Sequence, residues 1–244
     1  MPHKILVPFE IPGAEPLSPV LVRDLASIEI VALGHYGLPE QTPPDAAREQ
    51  FLDDARRELD ELTANLREAG ATVTTRVVFG KDRSKTIDRV AVEENCDAEL
   101  DPAPADEIDR ILVPLVDAGN LDRLTDFVTA LVDDETTEIT LFHVVGEDED
   151  VAEAESMLER ARSGLIQRGF DPDPTLQGLE PESIHTSVVE SNDHKEAILQ
   201  AADDYDAVVM DETDPDVPER IFGTLPDRIR NRTGDPVIVV RRNI

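Results

Sequence analysis

The segment Lys4-Ile-Leu-Val-Pro-Phe-Glu10 near the start of the chain is nearly repeated as Arg110-Ile-Leu-Val-Pro-Leu-Val116 close to its middle. Each copy is a short, mostly apolar run with β-branched residues, which is typical of a central strand covered on both faces of a parallel sheet. The copies lie 106 residues apart, from Ile5 to Ile111, and this is about the length of one domain. The repeat therefore predicts a duplicated α/β domain.

Apolar periodicity predicts that strands and helices alternate in the same order in both halves. In the first half we expect strands at 4–10, 28–33, 72–79 and 97–100, with helices near 17–26, 45–69 and 81–95. In the second half we expect strands at 111–116, 138–145, 184–190 and 205–210, with helices near 121–132, 150–168 and 194–203. Only the second half continues, to a helix near 223–232 and a strand at 236–241. The fold class is therefore α/β, with two Rossmann-like, doubly wound, mainly parallel domains at 1–107 and 108–244, the first of them truncated.

The composition excludes several classes of function. The formal net charge is −31, which opposes binding to nucleic acid or to anionic lipid. No apolar run approaches the roughly 20 residues that span a bilayer, so we expect a cytoplasmic protein without membrane insertion. Cys96 is the only cysteine, which excludes intramolecular disulfides and cysteine-rich zinc sites. Only four of the 23 basic residues are lysine, and this acidic, lysine-poor style is similar to that of proteins from salt-loving archaea.

Several motifs point to one known family. They are the two ILVP strands, the pair His143-Val144 at the end of a strand, the long helices that end at Gly70 and Gly169, and the tail from Phe222 to Arg241 with its Gly223-Thr224 and Pro-Val-Ile-Val-Val. In these features the chain resembles the tandem form of the universal stress proteins. The resemblance implies one of two behaviours. Some members bind ATP through an acidic residue after the first strand and the pattern G-x2-G-x9-G-[ST], whereas others lack the pattern and bind no nucleotide.

The resemblance places a degenerate nucleotide site in the second half. Its positions are Asp117, Val144, Gly223 and Thr224. Asp211 and Asp214 stand where the pattern has its first two glycines, and Asp117 comes one residue later than the family's acidic residue. Aspartate adds bulk and negative charge where backbone N–H groups must approach a phosphate. Because a like-charge pair at ~4 Å costs about 4 kcal/mol at an effective dielectric of roughly 20, we expect no cofactor, with ATP or AMP as the alternative.

Plainer roles compete with ligand binding at these positions. Gly223-Thr224 is also a helix start, with Thr224 as the N-cap, and the acidic loop after Asp211 is also a solvated loop or a site for a hydrated cation. In the first half Glu10 occupies the family's acidic position, but the glycine loop is absent. His143 lies near the place in the second half that His35 holds in the first, and both are expected to be structural residues at strand ends. The sequence assigns no catalytic constellation and no metal site.

The sequence therefore predicts a regulatory or stress-response module that is not an enzyme and that acts through protein contacts. Two alternatives stay open: an ATP- or AMP-binding switch in the second domain, and a regulatory subunit of a membrane transporter. The truncated first domain leaves a sheet edge that needs a cover. We therefore expect a homodimer, or pairing between the domains, through residues 236–241. The sequence does not identify the protein partner.

Overall fold

The computed structural model describes residues 3–132, 136–147, 149–169, 180–212 and 225–242. The chain divides into two compact units, Met1–Pro102 and Ala103–Ile244. The division lies five residues before the domain boundary expected from the sequence. None of the helices among the described residues is both long enough and apolar enough to cross a bilayer.

The first unit is a four-stranded parallel sheet with helices between its strands. Its elements are β1 (Lys4–Ile11), α1 (Pro19–Asp24), β2 (Glu29–Gly37), α2 (Pro44–Leu62), α3 (Ala64–Glu68), β3 (Val73–Gly80), α4 (Arg83–Glu93) and β4 (Ala98–Asp101). The strand order is β3-β2-β1-β4, and all three pairs are parallel. The chain runs outward from β1 to β2 and β3 and then crosses to β4 on the other side of β1. The strand order therefore reverses between β1 and β4, which is where sheets of this type bind ligands.

The second unit repeats this plan and extends it. Its elements are β5 (Arg110–Pro114), α5 (Leu121–Leu131), β6 (Glu138–Val145), α6 (Val151–Gly169), β7 (Ile184–Glu190), α7 (His194–Ala202), β8 (Ala207–Asp211), α8 (Leu225–Thr233) and β9 (Val237–Val240). The strands are parallel in the order β9-β8-β5-β6-β7. Residues 3–102 hold counterparts of β5 to β8 but none of α8 and β9. The predicted fold class, two doubly wound units with the first truncated, is confirmed.

Helices cover both faces of the first unit's sheet. On one face Leu6 and Leu33 pack against Val90 of α4 and against Cys96, in a fully apolar cluster. Gly34 follows Leu33 and points to the opposite face, where a Cβ atom would lie 3.2 Å from Leu59 Cδ2 of α2. Alternation along β2 thus buries successive residues against different helices, which explains why this strand is apolar throughout.

The core of the second unit is built in the same way. Leu112 of β5 and Phe142 of β6 lie in one cluster with residues of α7 and α8. Val208 and Met210 of β8 and Val237 of β9 belong to the same cluster. These residues occur at every second position of their strands, so one face of the sheet packs against α7 and α8.

One predicted helix is divided in two. The expected helix at 45–69 breaks at Thr63, whose φ of −100° and ψ of 1° leave the helical region. The Thr63 hydroxyl donates to the Leu59 carbonyl at 2.8 Å, so the side chain bonds the backbone within the last turn of α2. The chain then resumes as α3, and Gly70 follows with φ of +96°, a left-handed conformation that suits glycine after a helix.

Candidate functional site

In the second unit an arginine lies at the point where the strand order reverses. Asp211 is the last residue of β8, and Asp117 follows β5 by three residues. Arg242, which follows β9, donates to Asp211 Oδ2 from Nη2 at 2.7 Å and from Nε at 2.9 Å. The same Nη2 donates to Asp117 Oδ2 at 3.0 Å. One guanidinium therefore joins the carboxylate that follows the first strand of the unit to the carboxylate that ends the fourth.

Further donors bind the other carboxylate oxygens. Asn120 Nδ2 donates to Asp211 Oδ1 at 2.5 Å, and the Gly119 N–H donates to Asp117 Oδ1 at 2.6 Å. We call Asp117, Asn120, Asp211 and Arg242 the Arg242 cluster. Because the cluster contains two carboxylates and one guanidinium, its formal charge is negative when both acids are ionised.

The two carboxylates of the Arg242 cluster differ in environment. Burial raises the pKa of Asp211 above its ordinary value, and bonds from Asn120 and Arg242 only partly oppose this. Burial acts in the same direction on Asp117, but the bonds from Arg242 and Gly119 outweigh it and hold the pKa of Asp117 below its ordinary value. The pKa of Arg242 lies above its ordinary value, because its bonds to both acids outweigh its burial. Arg242 is thus a fixed positive charge at neutral pH.

The other positions of the predicted nucleotide site are not part of this cluster. Val144 lies in β6 and its side chain is buried in the apolar core. It therefore offers a ligand only its backbone. Gly223, Thr224 and Asp214 lie outside the described residues. Of the predicted set, the structure thus places Asp117 beside Asp211 and sends the Val144 side chain into the core.

The first unit has a comparable arrangement at its own point of reversal. His35 of β2 lies opposite Glu10 of β1, and its Nδ1 is 3.1 Å from Glu10 Oε2. Arg83, the first residue of α4, places Nε 3.5 Å from the same carboxylate. Its Nη2 is 4.0 Å from Asp101 Oδ1 at the end of β4. An arginine again joins acids at the ends of the first and fourth strands, but it comes from a helix start and not from the segment after the final strand.

The strand register relates the two histidines to each other. Pro8 pairs with Leu33 and Pro114 with Phe142, so Leu33 and Phe142 correspond. Two residues further on, His35 corresponds to Val144, so His143 lies one residue before the counterpart of His35, near it as expected. His143 Nδ1 instead lies 2.7 Å from the Leu115 carbonyl. Because a carbonyl only accepts, that nitrogen carries the proton and fixes the ring.

Sequence reasoning missed Asn120, Arg83 and Arg242. None of the three belongs to a recognisable motif, and Arg242 follows a strand whose position in the sheet the sequence did not give. The composition carries a weak signal, since 54 acidic against 23 basic residues favour carboxylate partners for a basic side chain. No three His, Cys, Asp or Glu side chains within the described ranges are placed to hold a metal ion together.

Comparisons with known proteins identify the fold. No protein-family model matches the chain. No curated protein matches its sequence. Among solved structures, a universal stress protein from Archaeoglobus fulgidus is similar with a TM-score of 0.64 and 16% identity, over 99% of this chain and 97% of that one. A universal stress protein in complex with cAMP has a TM-score of 0.42 and 15% identity, over 55% of this chain and 97% of that one. One from Archaeoglobus fulgidus in complex with dAMP has a TM-score of 0.39 and 17% identity, over 55% of this chain and 98% of that one.

The likeness that spans both units shows the fold. At a TM-score of 0.64 over almost the whole of both chains, this protein has the universal stress protein fold. The identity of 16% establishes the fold alone.

Proposed function

We propose that the protein is a regulatory module of the universal stress type that acts through protein contacts, without catalysis and without ATP. The observation that carries the proposal is the Arg242 cluster. It occupies the strand ends at which doubly wound sheets bind their ligands, and it satisfies the polar groups there with the chain's own side chains.

A nucleotide at this place would have to compete with the cluster. If Arg242 turned towards a phosphate, Asp211 would lose two hydrogen bonds and Asp117 would lose one. A hydrogen bond to a charged group contributes about 1.5–3 kcal/mol, so the exchange offers a phosphate little net gain. If Arg242 stayed in place, the phosphate would face a cluster whose net charge is negative.

Calorimetric titration with MgATP and with AMP tests the proposal. We expect dissociation constants no tighter than millimolar. The titration is made both at about 0.1 M and at molar KCl, since salt screens the repulsion between exposed charges. The matched variant is Asp117→Asn with Asp211→Asn, which removes both negative charges and keeps the side-chain size. If repulsion is the cause, this variant binds MgATP more tightly than the parent. A micromolar constant for the parent protein would overturn the proposal in favour of a nucleotide-dependent switch.

We also propose that association involves residues 236–241, either with a second copy of the chain or within one chain. Within its own unit β9 pairs with β8 alone, in a register that aligns Val208 with Val237. No described strand of that unit pairs with its second edge, so only a strand from outside the unit can do so. Sedimentation equilibrium with hydrogen exchange tests this. A dimer indicates a second copy, and a monomer in which the amides of both edges of β9 are protected indicates pairing within the chain. A monomer in which only the amides bonded to β8 are protected would contradict both forms.

A further inference from the structure

A groove runs along the free edge of β3. In the first unit β3 pairs with β2 only, and none of its residues is fully buried. Five consecutive residues of the strand, 75–79, line one cavity of about 570 Å³. Because successive side chains of a strand point to opposite faces, a cavity that touches five in a row must follow the strand edge.

Helices on both faces of the sheet form the walls of this groove. One wall is a face of α2 that contributes residues at steps of one, three or four between Pro44 and Asp60. At 1.5 Å per residue that face is about 24 Å long. Arg89 of α4 belongs to the other wall. The space is therefore long and narrow, with a row of strand backbone groups along its floor.

The β3 groove, defined by these residues, is rich in arginine although the chain carries a net charge of −31. It contains four arginines, Arg48, Arg56, Arg76 and Arg89, against two aspartates. Glutamates at the end of α4 and directly after it bind two of the arginines. Arg76 Nη1 donates to Glu94 Oε1 at 2.8 Å, and Arg89 Nη1 donates to Glu93 Oε1 at 3.1 Å.

The other two arginines of the groove differ from Arg76 and Arg89 in their contacts. Arg48 and Arg56 make no ion pair or side-chain hydrogen bond with any residue of the described ranges. They lie eight residues apart in α2, which places them on one side of the helix at a spacing of about 12 Å. Two guanidinium groups without an ion pair among the described residues complement carboxylates supplied from outside, since guanidinium matches carboxylate geometry.

We propose that the β3 groove receives an extended acidic segment of a partner protein, which adds to β3 as a strand and places its carboxylates against Arg48 and Arg56. The unpaired N–H and C=O groups of the β3 edge provide backbone hydrogen bonds that any extended segment can make. The arginines select for acidic side chains. Since the inference names the surface and the partner chemistry of the proposed regulatory module, it rests on the proposed function.

A direct test uses a fluorescein-labelled peptide of alternating glutamate and valine, about eight residues long, which in extended form spans the groove. We expect it to bind the parent protein and to slow hydrogen exchange in β3. The matched variants are Arg56→Glu and Arg57→Glu. Arg57 is the next residue of α2, does not line the groove and pairs with Asp54 in solvent. We expect Arg56→Glu to weaken binding about tenfold and Arg57→Glu to change it less than about twofold.

Four further arms can overturn the proposal. If a peptide with lysine in place of glutamate binds equally well, the groove does not select acidic side chains. If a peptide with an N-methylated backbone binds equally well, the segment does not add to β3 as a strand. If inorganic pyrophosphate displaces the peptide and binds as tightly as the peptide does, the groove is a site for small anions. If the parent protein self-associates and the Arg56→Glu variant does not, the occupant of the β3 groove is a second copy of the chain. If the parent protein and the Arg56→Glu variant both bind MgATP with micromolar constants, the proposed function is wrong. The result for the β3 groove is not affected by that outcome.

Discussion

Replacing Arg242 by alanine tests whether the Arg242 cluster holds the strand ends of the second unit together. The substitution removes three side-chain hydrogen bonds, two to Asp211 and one to Asp117. Asp211, whose side chain is only 10% exposed, then faces Asp117 with Asn120 as its remaining partner in the cluster. A buried carboxylate would thus lose its compensating charge.

The expected loss follows from the burial of each partner. Removing one partner of a buried ion pair costs about 3–5 kcal/mol, because an uncompensated charge is left behind. Here the Arg242 side chain is 21% exposed and that of Asp117 is 45% exposed, so water replaces part of the interaction. We therefore expect the free energy of unfolding to fall by about 2–3 kcal/mol.

Urea denaturation at fixed KCl, followed by circular dichroism because the chain has no tryptophan, measures this loss. The control is Arg160→Ala. Arg160 is exposed and its guanidinium donates to the backbone carbonyl of Ser156 in the same helix, so we expect a change within about 0.5 kcal/mol. In a cycle with Asp211→Asn we expect a coupling of about 1–2 kcal/mol. A loss below about 0.5 kcal/mol for Arg242→Ala, or additive losses in the cycle, would refute the role given to this arginine.

Three other outcomes are expected. The melting temperature should rise with added KCl, because a net charge of −31 opposes the compact state through self-repulsion; a constant value between low and molar KCl would count against this. Carboxyl-carbon NMR should find the pKa of Asp211 above and that of Asp117 below the ordinary value of about 3.9. The contribution of Asp117 to stability is then present above about pH 3.9 and is lost as the pH falls through its lower folded pKa, whereas coincident titration of both acids would contradict the assignment. Phe127→Ala should cost about 3–5 kcal/mol in the same urea assay, since Phe127 is fully buried, and a loss under about 1 kcal/mol would contradict its place in the core.

Most of the fold follows from local sequence pattern. The strands at 138–145 and 184–190 lie where apolar, β-branched runs predict them. The break at Thr63 could not be predicted, because Phe51, Leu59 and Leu66 continue the helical spacing through it. The Thr63 hydroxyl bonds the Leu59 carbonyl at the break, but Thr125 and Thr129 make the same kind of bond within the unbroken α5, so a threonine in the sequence does not by itself predict a break.

The candidate site was predicted only in part. The closeness of Asp117 and Asp211 follows from topology, because both come after strands that flank the reversal of strand order. The arginine between them does not, since the reach of a long side chain depends on where β9 lies and on which way the chain turns after it. The sequence placed His143 near the counterpart of His35 but did not give the register to one residue, because two strands that are apolar throughout carry little information about such a shift.

Cys96 lies buried in the core of the first unit and is the only thiol of the chain. A thiol reagent can reach it only when that core opens, so its rate of modification in native buffer reports the opening of the first unit alone. The second unit has no cysteine and therefore gives no modification signal in the same experiment. A single natural side chain thus allows the stability of one repeat to be measured inside the intact protein, without cutting the two apart.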